Sequence, residues 1–196
     1  MFDKSHECFP IKDKWIFLSH CGIAPLYGEA MKKEREIAEA QHLTGSLVYS
    51  RYDAILDGLR EAGGKLLKTS PDNLAFIKNA SEGISLIANG YRFEPGDQVI
   101  SYVQEYPANY YPWKLQEQRG VELVLLPDRN TSALPDDVIA GRPVGWTMRD
   151  LQERVTPRTK TVALSHVQFT SGHVADLKTL ANFCRAHEID LMLDAA

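Results

Sequence analysis

Ile77-Lys78-Asn79-Ala80-Ser81-Glu82-Gly83-Ile84-Ser85 is the stretch on which the reading of this chain turns. Leu74 to Ile77 is a short apolar run that predicts a buried strand. Ser81 to Asn89 predicts a helix, ended by Gly90. A strand passing through small polar residues into a helix leaves several backbone N–H groups unpaired and pointing one way. Those donors, with the positive end of the helix dipole, form a seat for a phosphate. Ser81 either adds its hydroxyl to that seat or serves as the N-cap, and the residues around it leave both open.

Outward from this stretch the chain alternates. Gln98–Tyr102 predicts a strand, Ala108–Arg119 a helix ended by Gly120, and Val121–Leu126 a strand. Pro127 to Gly145, rich in Pro, Gly and Asp, predicts a long surface connection. Thr147 caps a predicted helix from Met148 to Val155. Thr161–Val167 is a predicted strand, Asp176–His187 a helix and Ile189–Asp194 a strand. Strands alternating with helices of this length imply crossover units and a mostly parallel sheet in a three-layer α/β/α arrangement. On the amino-terminal side, residues 1–14 read as an arm with little structure of its own. Trp15–Leu18 is a short strand or extended segment, Glu29–Glu39 an amphipathic helix, and Tyr52–Leu67 another, weakened by Gly63-Gly64. The expected division is an arm, 1–14, and part of one larger domain, 15–196.

Bulk properties narrow the function. The 196 residues are 44% hydrophobic and 24% charged, ordinary for a soluble globular domain. A net charge of −4 offers no broad basic surface, so nucleic acid is not an expected partner. No apolar run is long enough for a signal peptide or a membrane span. Three widely spaced cysteines, Cys8, Cys21 and Cys184, form neither a disulfide framework nor a metal pattern, and point to a reducing, cytoplasmic setting. His20 beside Cys21 is a poor nucleophile pair, because neighbours on an extended chain face opposite ways. The chain stops at Leu193-Asp194-Ala195-Ala196, straight after an apolar strand, which reads as a fragment of a longer protein.

Ligands of parallel sheets lie beyond the carboxyl ends of the strands. Four groups are expected to meet there. They are the phosphate seat at Asn79–Glu82, the Glu105-Tyr106-Pro107-Ala108-Asn109 segment, the Ser165-to-Gly172 segment, and Asp194. Tyr106 suits stacking on a flat heteroaromatic ring. His166 reads as a structural histidine. Asp194, expected to be buried, needs a partner for its charge, and a protonated ring nitrogen would serve. Phosphate donors, a stacking ring and a buried carboxylate together describe a cradle for pyridoxal phosphate, whose ring acts as an electron sink. No Gly-x-Gly-x-x-Gly follows a strand, so a dinucleotide site lacks its glycines.

With those residues in place, the chain resembles the N-terminal half of class V aminotransferase-like enzymes. These belong to the fold type I pyridoxal-phosphate superfamily, with cysteine desulfurases, kynureninases and isopenicillin N epimerase-like proteins. Asn79-Ala80-Ser81-Glu82 looks like the family's phosphate block. Glu105-Tyr106-Pro107-Ala108-Asn109-Tyr110-Tyr111-Pro112-Trp113 looks like the Glu-His-His-Ser/Ala-Asn-x-x-Pro-Trp of desulfurases. Leu193-Asp194-Ala195-Ala196 looks like the Val-Asp-Ala/Gly-Ala-Gln block, cut before its glutamine.

The resemblance implies that Ala80 and Ser81 hold the phosphate, Tyr106 stacks on the ring, and Asp194 pairs with the pyridine nitrogen. It also implies a homodimer acting on an amino acid or amine. The chain departs from desulfurases at two places. Tyr106 replaces a histidine, and tyrosine, with a reference pKa of ~10, is a poor base at neutral pH. Phe169 replaces an asparagine that touches the ring hydroxyl, which leaves Gln168, or a residue past Ala196, to make that contact. Both departures point toward epimerase-like or C–S lyase-like relatives. No catalytic residue is expected within the chain itself, since the resemblance puts the Schiff-base lysine after Ala196. The alternatives are a Rossmann-like nucleotide- or NAD-binding enzyme and a non-catalytic relative of the family.

Overall fold

Val99 and Ile100, both fully buried, are neighbours in the strand Gln98–Tyr102 (β1) and face opposite sides of the sheet. That strand is covered on both faces, and it lies inside a sheet. A computed structural model describes residues 3–129 and 145–196. In it β1 is flanked by Glu122–Leu126 (β2) on one side and Thr159–Ser165 (β3) on the other, with Asp190–Asp194 (β4) beyond β3. All three pairings are parallel.

The faces are sorted by alternation. Val99 and Ala163 lie on one face, packed with Ala88 of helix α3 (Ala80–Gly90) and Trp113 of helix α4 (Pro107–Lys114). Ile100, Tyr102, Val162 and Leu164 lie on the other, packed with Leu151 of α5 (Met148–Gln152) and with Leu180 and Cys184 of α6 (Leu177–Ala186). The expected three-layer α/β/α arrangement with its parallel sheet is therefore present. Helix starts follow local chemistry: a Thr147/Asp150 capping box opens α5, and the Asp176 side chain accepts the Lys178 and Thr179 amides at α6. Pro107 stands in the first turn of α4, where its missing N–H costs nothing.

The chain divides into two units, Met1–Phe76 and Ile77–Ala196, and the sheet belongs to the second. The first holds α1 (Gly28–Thr44) and α2 (Tyr52–Leu67), joined by a 3-10 segment, Gly45–Arg51. Gly63-Gly64 does not break α2. Gly64 is needed there, since a Cβ would stand 2.9 Å from the Thr69 carbonyl oxygen. A 3-10 turn, Pro10–Asp13, gives the arm some structure of its own.

Several expectations are corrected. Leu74–Ile77 is not a strand: Leu74 is extended, at φ −108° and ψ 127°, but the segment pairs with no strand among the described residues. Phe76 and Ile77 are close to half exposed. An apolar run becomes a strand only where a neighbour satisfies its backbone, and composition does not supply the neighbour. Trp15–Leu18 is likewise unpaired, with Trp15, Ile16 and Leu18 exposed. The predicted helix 108–119 changes to a 3-10 segment at Leu115 before Gly120, at φ 81°, ends it. Pro112 removes one N–H donor from α4, and its own carbonyl, near the helix end, accepts the Gln116 side-chain amide at 3.1 Å. β3 spans Thr159–Ser165 and stops short of Val167, which forms an antiparallel bridge with Val174. Most of the expected long connection, Pro127 to Gly145, lies outside the described residues, at 130–144.

Candidate active site

β1 leads through α4 to β2 on one side, whereas β3 lies on the other side of β1. The strand order thus reverses between β1 and β3, and the carboxyl ends of these two strands flank the crevice where open α/β sheets bind ligands. The residues just past those ends are joined there. Glu105 Oε1 accepts the Ser165 amide at 2.7 Å and the Gln168 side-chain amide at 2.6 Å. Its Oε2 accepts the Ser165 hydroxyl at 2.6 Å and the Asn109 side-chain amide at 3.3 Å. Asn109 in turn accepts the Trp113 indole N–H.

Above this buried cluster lie two exposed rings. Tyr106 and Phe169 meet edge to face, with centroids 5.1 Å apart and planes at 86°. Each is about half exposed, so a flat ligand can reach them.

Asp194 is placed by register. It stands opposite Ser165 at the end of the β3–β4 pair. Met192, two residues earlier, packs with α3 and α4, so alternation turns Asp194 to the same face. The carboxylate is half-buried, where burial was expected, because β4 is the last strand of the described sheet and has no neighbour on its outer side. Its Oδ1 accepts the Ala196 amide at 3.0 Å.

The α3 terminus reaches the same edge. Tyr91, just past α3, donates to Asp190 at the start of β4 (2.6 Å), and Gln116 and Arg119 bond Asn89. The end of α3 therefore lies at the amino edge of the sheet. Eleven residues of helix span about 16 Å, the length of a five-residue strand, so the N-terminus comes level with the carboxyl ends. The N-cap is Asn79, whose side chain accepts the Glu82 amide at 2.9 Å. Glu82 reaches back to the Lys78 amide at 2.8 Å. The exposed Ala80 and Ser81 amides are left without an acceptor among the described residues, and the Ser81 hydroxyl is not the cap.

All five residues singled out in the sequence thus stand at one edge. Ala80, Ser81, Tyr106 and Asp194 share the α3/α4 face. Gln168 is 1% exposed and inside the Glu105 cluster, with its N–H donated to Glu105 and its Oε1 unpartnered. Glu105, Asn109 and Ser165 went unassigned in the sequence, although a glutamate closely following a fully buried strand is itself a signal of a paired carboxylate. Burial pushes the Cys184 thiol up to about 11, which makes it an inert core residue. Among the described residues no cluster of His, Cys, Asp and Glu could hold a metal.

Residues 29–196 match the family model Aminotransferase class-V. The chain belongs to this family. Cysteine desulfurase CsdA of Escherichia coli is 31% identical over 166 residues, which cover 82% of this class-V chain and 36% of the relative. A probable cysteine desulfurase of Methanothermobacter thermautotrophicus is 30% identical, over 78% of the chain and 36% of the relative. The chain spans about a third of the length of these curated relatives. Among solved structures, the cystine C–S lyase C-DES, in complex with its reaction product cysteine persulfide, superposes with a TM-score of 0.79 at 18% identity. That match covers 94% of the class-V chain and 47% of the lyase. A C-DES mutant with glycine covalently linked to its PLP cofactor gives 0.80 at 17% identity, over 97% of this chain and 48% of that one. These likenesses show that the class-V chain shares the fold of about half of each of these chains.

Proposed function

We infer that the full-length protein is a pyridoxal-phosphate-dependent enzyme acting on an amino acid, of cysteine desulfurase or C–S lyase type. The observation that carries this is a set of three unlike groups on one face of the carboxyl edge. They are the unpaired amides of Ala80 and Ser81, the exposed Tyr106 ring, and the Asp194 carboxylate. The set fits the cofactor piece by piece. Amides at a helix N-terminus suit a phosphate dianion. An aromatic face suits a pyridine ring. A carboxylate whose partner among the described residues is a single backbone amide suits a ring N–H. The orphaned, buried Oε1 of Gln168 can accept from a ring hydroxyl.

In this reading Ala80 and Ser81 bind the phosphate and orient the ring, and Tyr106 shields one ring face from water. Asp194 holds the proton on the pyridine nitrogen. When bound, the cofactor supplies an electron sink for charge developing at the substrate α-carbon. Phe169 has no polar atom to offer, so Gln168 takes the hydroxyl contact. Lys178 opens α6 on the opposite face of the sheet, and Lys78 is exposed beside the phosphate seat with its amide bonded to Glu82. A lysine beyond Ala196 is therefore the proposed attachment point. The names of the relatives support cysteine or cystine as substrate class. A homodimer and a cytoplasmic setting complete the proposal, the latter supported by three free thiols. Among the described residues no helix is long and apolar enough to cross a membrane.

The test is reconstitution of full-length protein with pyridoxal phosphate. A visible absorption band, and a lysine tagged by borohydride reduction and located by peptide mapping, are expected. Absence of the band after reconstitution would defeat the reading. Cysteine and cystine assayed for sulfide and persulfide release identify the reaction, and light scattering reads the subunit count.

A further inference from the structure

Glu105 is 7% exposed, and none of its hydrogen-bond partners among the described residues is a cation. A carboxylate offers about four acceptor positions, and here four donors occupy them. It has no lone pair left to exchange a proton with a substrate, so it is no general base. Its partners instead span the crevice. Asn109 belongs to the segment after β1, whereas Ser165 and Gln168 belong to the end of β3 and the loop beyond it.

The next residue on each side is an aromatic ring of the mouth. Tyr106 follows Glu105, and Phe169 follows Gln168. In each pair the polar side chain is buried and the ring is exposed. The 2.6 Å bond between Glu105 and Gln168 therefore joins the two residues that immediately precede the paired Tyr106 and Phe169 rings. The Tyr106 carbonyl also accepts the Asn109 amide at 2.8 Å, which ties the ring's own backbone into the same cluster.

We propose that Glu105 is a positioning residue whose buried carboxylate latches the loop after β1 to the loop after β3 and so fixes the angle of the Tyr106 ring over the cofactor. This rests on the pyridoxal-phosphate reading above. Charge-assisted bonds of this kind are shorter and stronger than neutral ones, which suits a tie that must hold an exposed ring still. Glu105→Gln places an amide N–H against donors. Ser165→Ala removes one hydroxyl bond to Glu105 and no contact proposed for the cofactor, so it serves where Glu105→Gln fails to fold.

The experiment uses the full-length holoenzyme at matched cofactor occupancy, with the visible circular dichroism of the bound cofactor and its dissociation rate as readouts. Both variants are expected to lose most of the induced signal and to release cofactor roughly tenfold faster, the scale of one hydrogen bond to a charged group. Arg129→Gln, which breaks an ion pair packed on α5, controls for lost stability and should leave both readouts unchanged while lowering the melting temperature. An unchanged signal and off-rate in Ser165→Ala and Glu105→Gln overturns the latch while leaving the cofactor reading intact. A wild-type protein that takes up no cofactor overturns both.

Discussion

Ser165 and Asp194 stand opposite one another at the last register position of the β3–β4 pair, with their side chains on the α3/α4 face. The serine is turned into the Glu105 cluster, whereas the aspartate keeps its second carboxylate oxygen without a partner among the described residues. This asymmetry makes Asp194 the available anion of the edge. Asp194→Asn in the full-length protein should retain pyridoxal phosphate but lose about 10²–10³ in kcat, the scale of removing one preorganised electrostatic contact. Steady-state kinetics at saturating cofactor check this, and a wild-type kcat would refute the pairing with the ring nitrogen.

The N-cap role left open for Ser81 in the sequence falls to Asn79. The Asn79 side chain caps α3, so Asn79→Ala should cost about 1 kcal/mol in urea denaturation. Ser81→Ala touches no cap and should leave stability within ~0.5 kcal/mol. It should instead weaken binding of the phosphate group severalfold, read by cofactor titration. Equal stability losses in the two variants would contradict the assignment.

Arg129 and Asp150 make a bidentate pair in which the aspartate is fully buried and the arginine a third exposed. Burial alone would raise the Asp150 carboxyl, but hydrogen bonds from Arg129 and Thr147 outweigh it and hold it below the ordinary carboxylate range. A depressed folded-state value stabilises the protein above the unfolded value of ~3.9, and the contribution is lost as pH falls through the folded value. Arg129→Gln should therefore cost about 2–3 kcal/mol at neutral pH, less than for a fully buried pair. Its deficit relative to wild type should shrink below pH ~4. Denaturation across that range is the measurement, and a pH-independent deficit would contradict it.

Tyr91 is pushed up to about 12, by burial first and then by its hydrogen bond to Asp190. A raised folded-state value favours the neutral phenol in the fold, so this stability is complete below ~10 and fades as pH rises toward the folded value. Ultraviolet titration should show a late-ionising tyrosine that Tyr91→Phe removes. The same variant should lose about 1 kcal/mol at pH 7, the worth of one hydrogen bond. A late phase that survives at full amplitude in the variant would assign it elsewhere.

Much of this protein was legible in its sequence because the signals are local. Apolar runs of five to seven residues between turn residues marked all four strands of the sheet, Gln98–Tyr102 to the residue. Thr147, Asp176 and Gly120 marked helix ends because caps and left-handed glycines act within one turn. Ala80, Ser81, Tyr106, Gln168 and Asp194 could be expected at one edge because a parallel sheet carries its strand ends there, whereas the roles proposed for them came from the family resemblance. Relations between distant segments were not legible. Whether Leu74–Ile77 pairs depends on a neighbour that its own residues do not specify. Whether Asp194 is buried depends on what lies beyond β4. The partners of Glu105 are 60 and 63 residues away, and only the packing of β1 against β3 brings their donors to its carboxylate. Residue chemistry determined which groups are present at the carboxyl edge, and tertiary packing decided which of them are already satisfied and which remain open to a ligand.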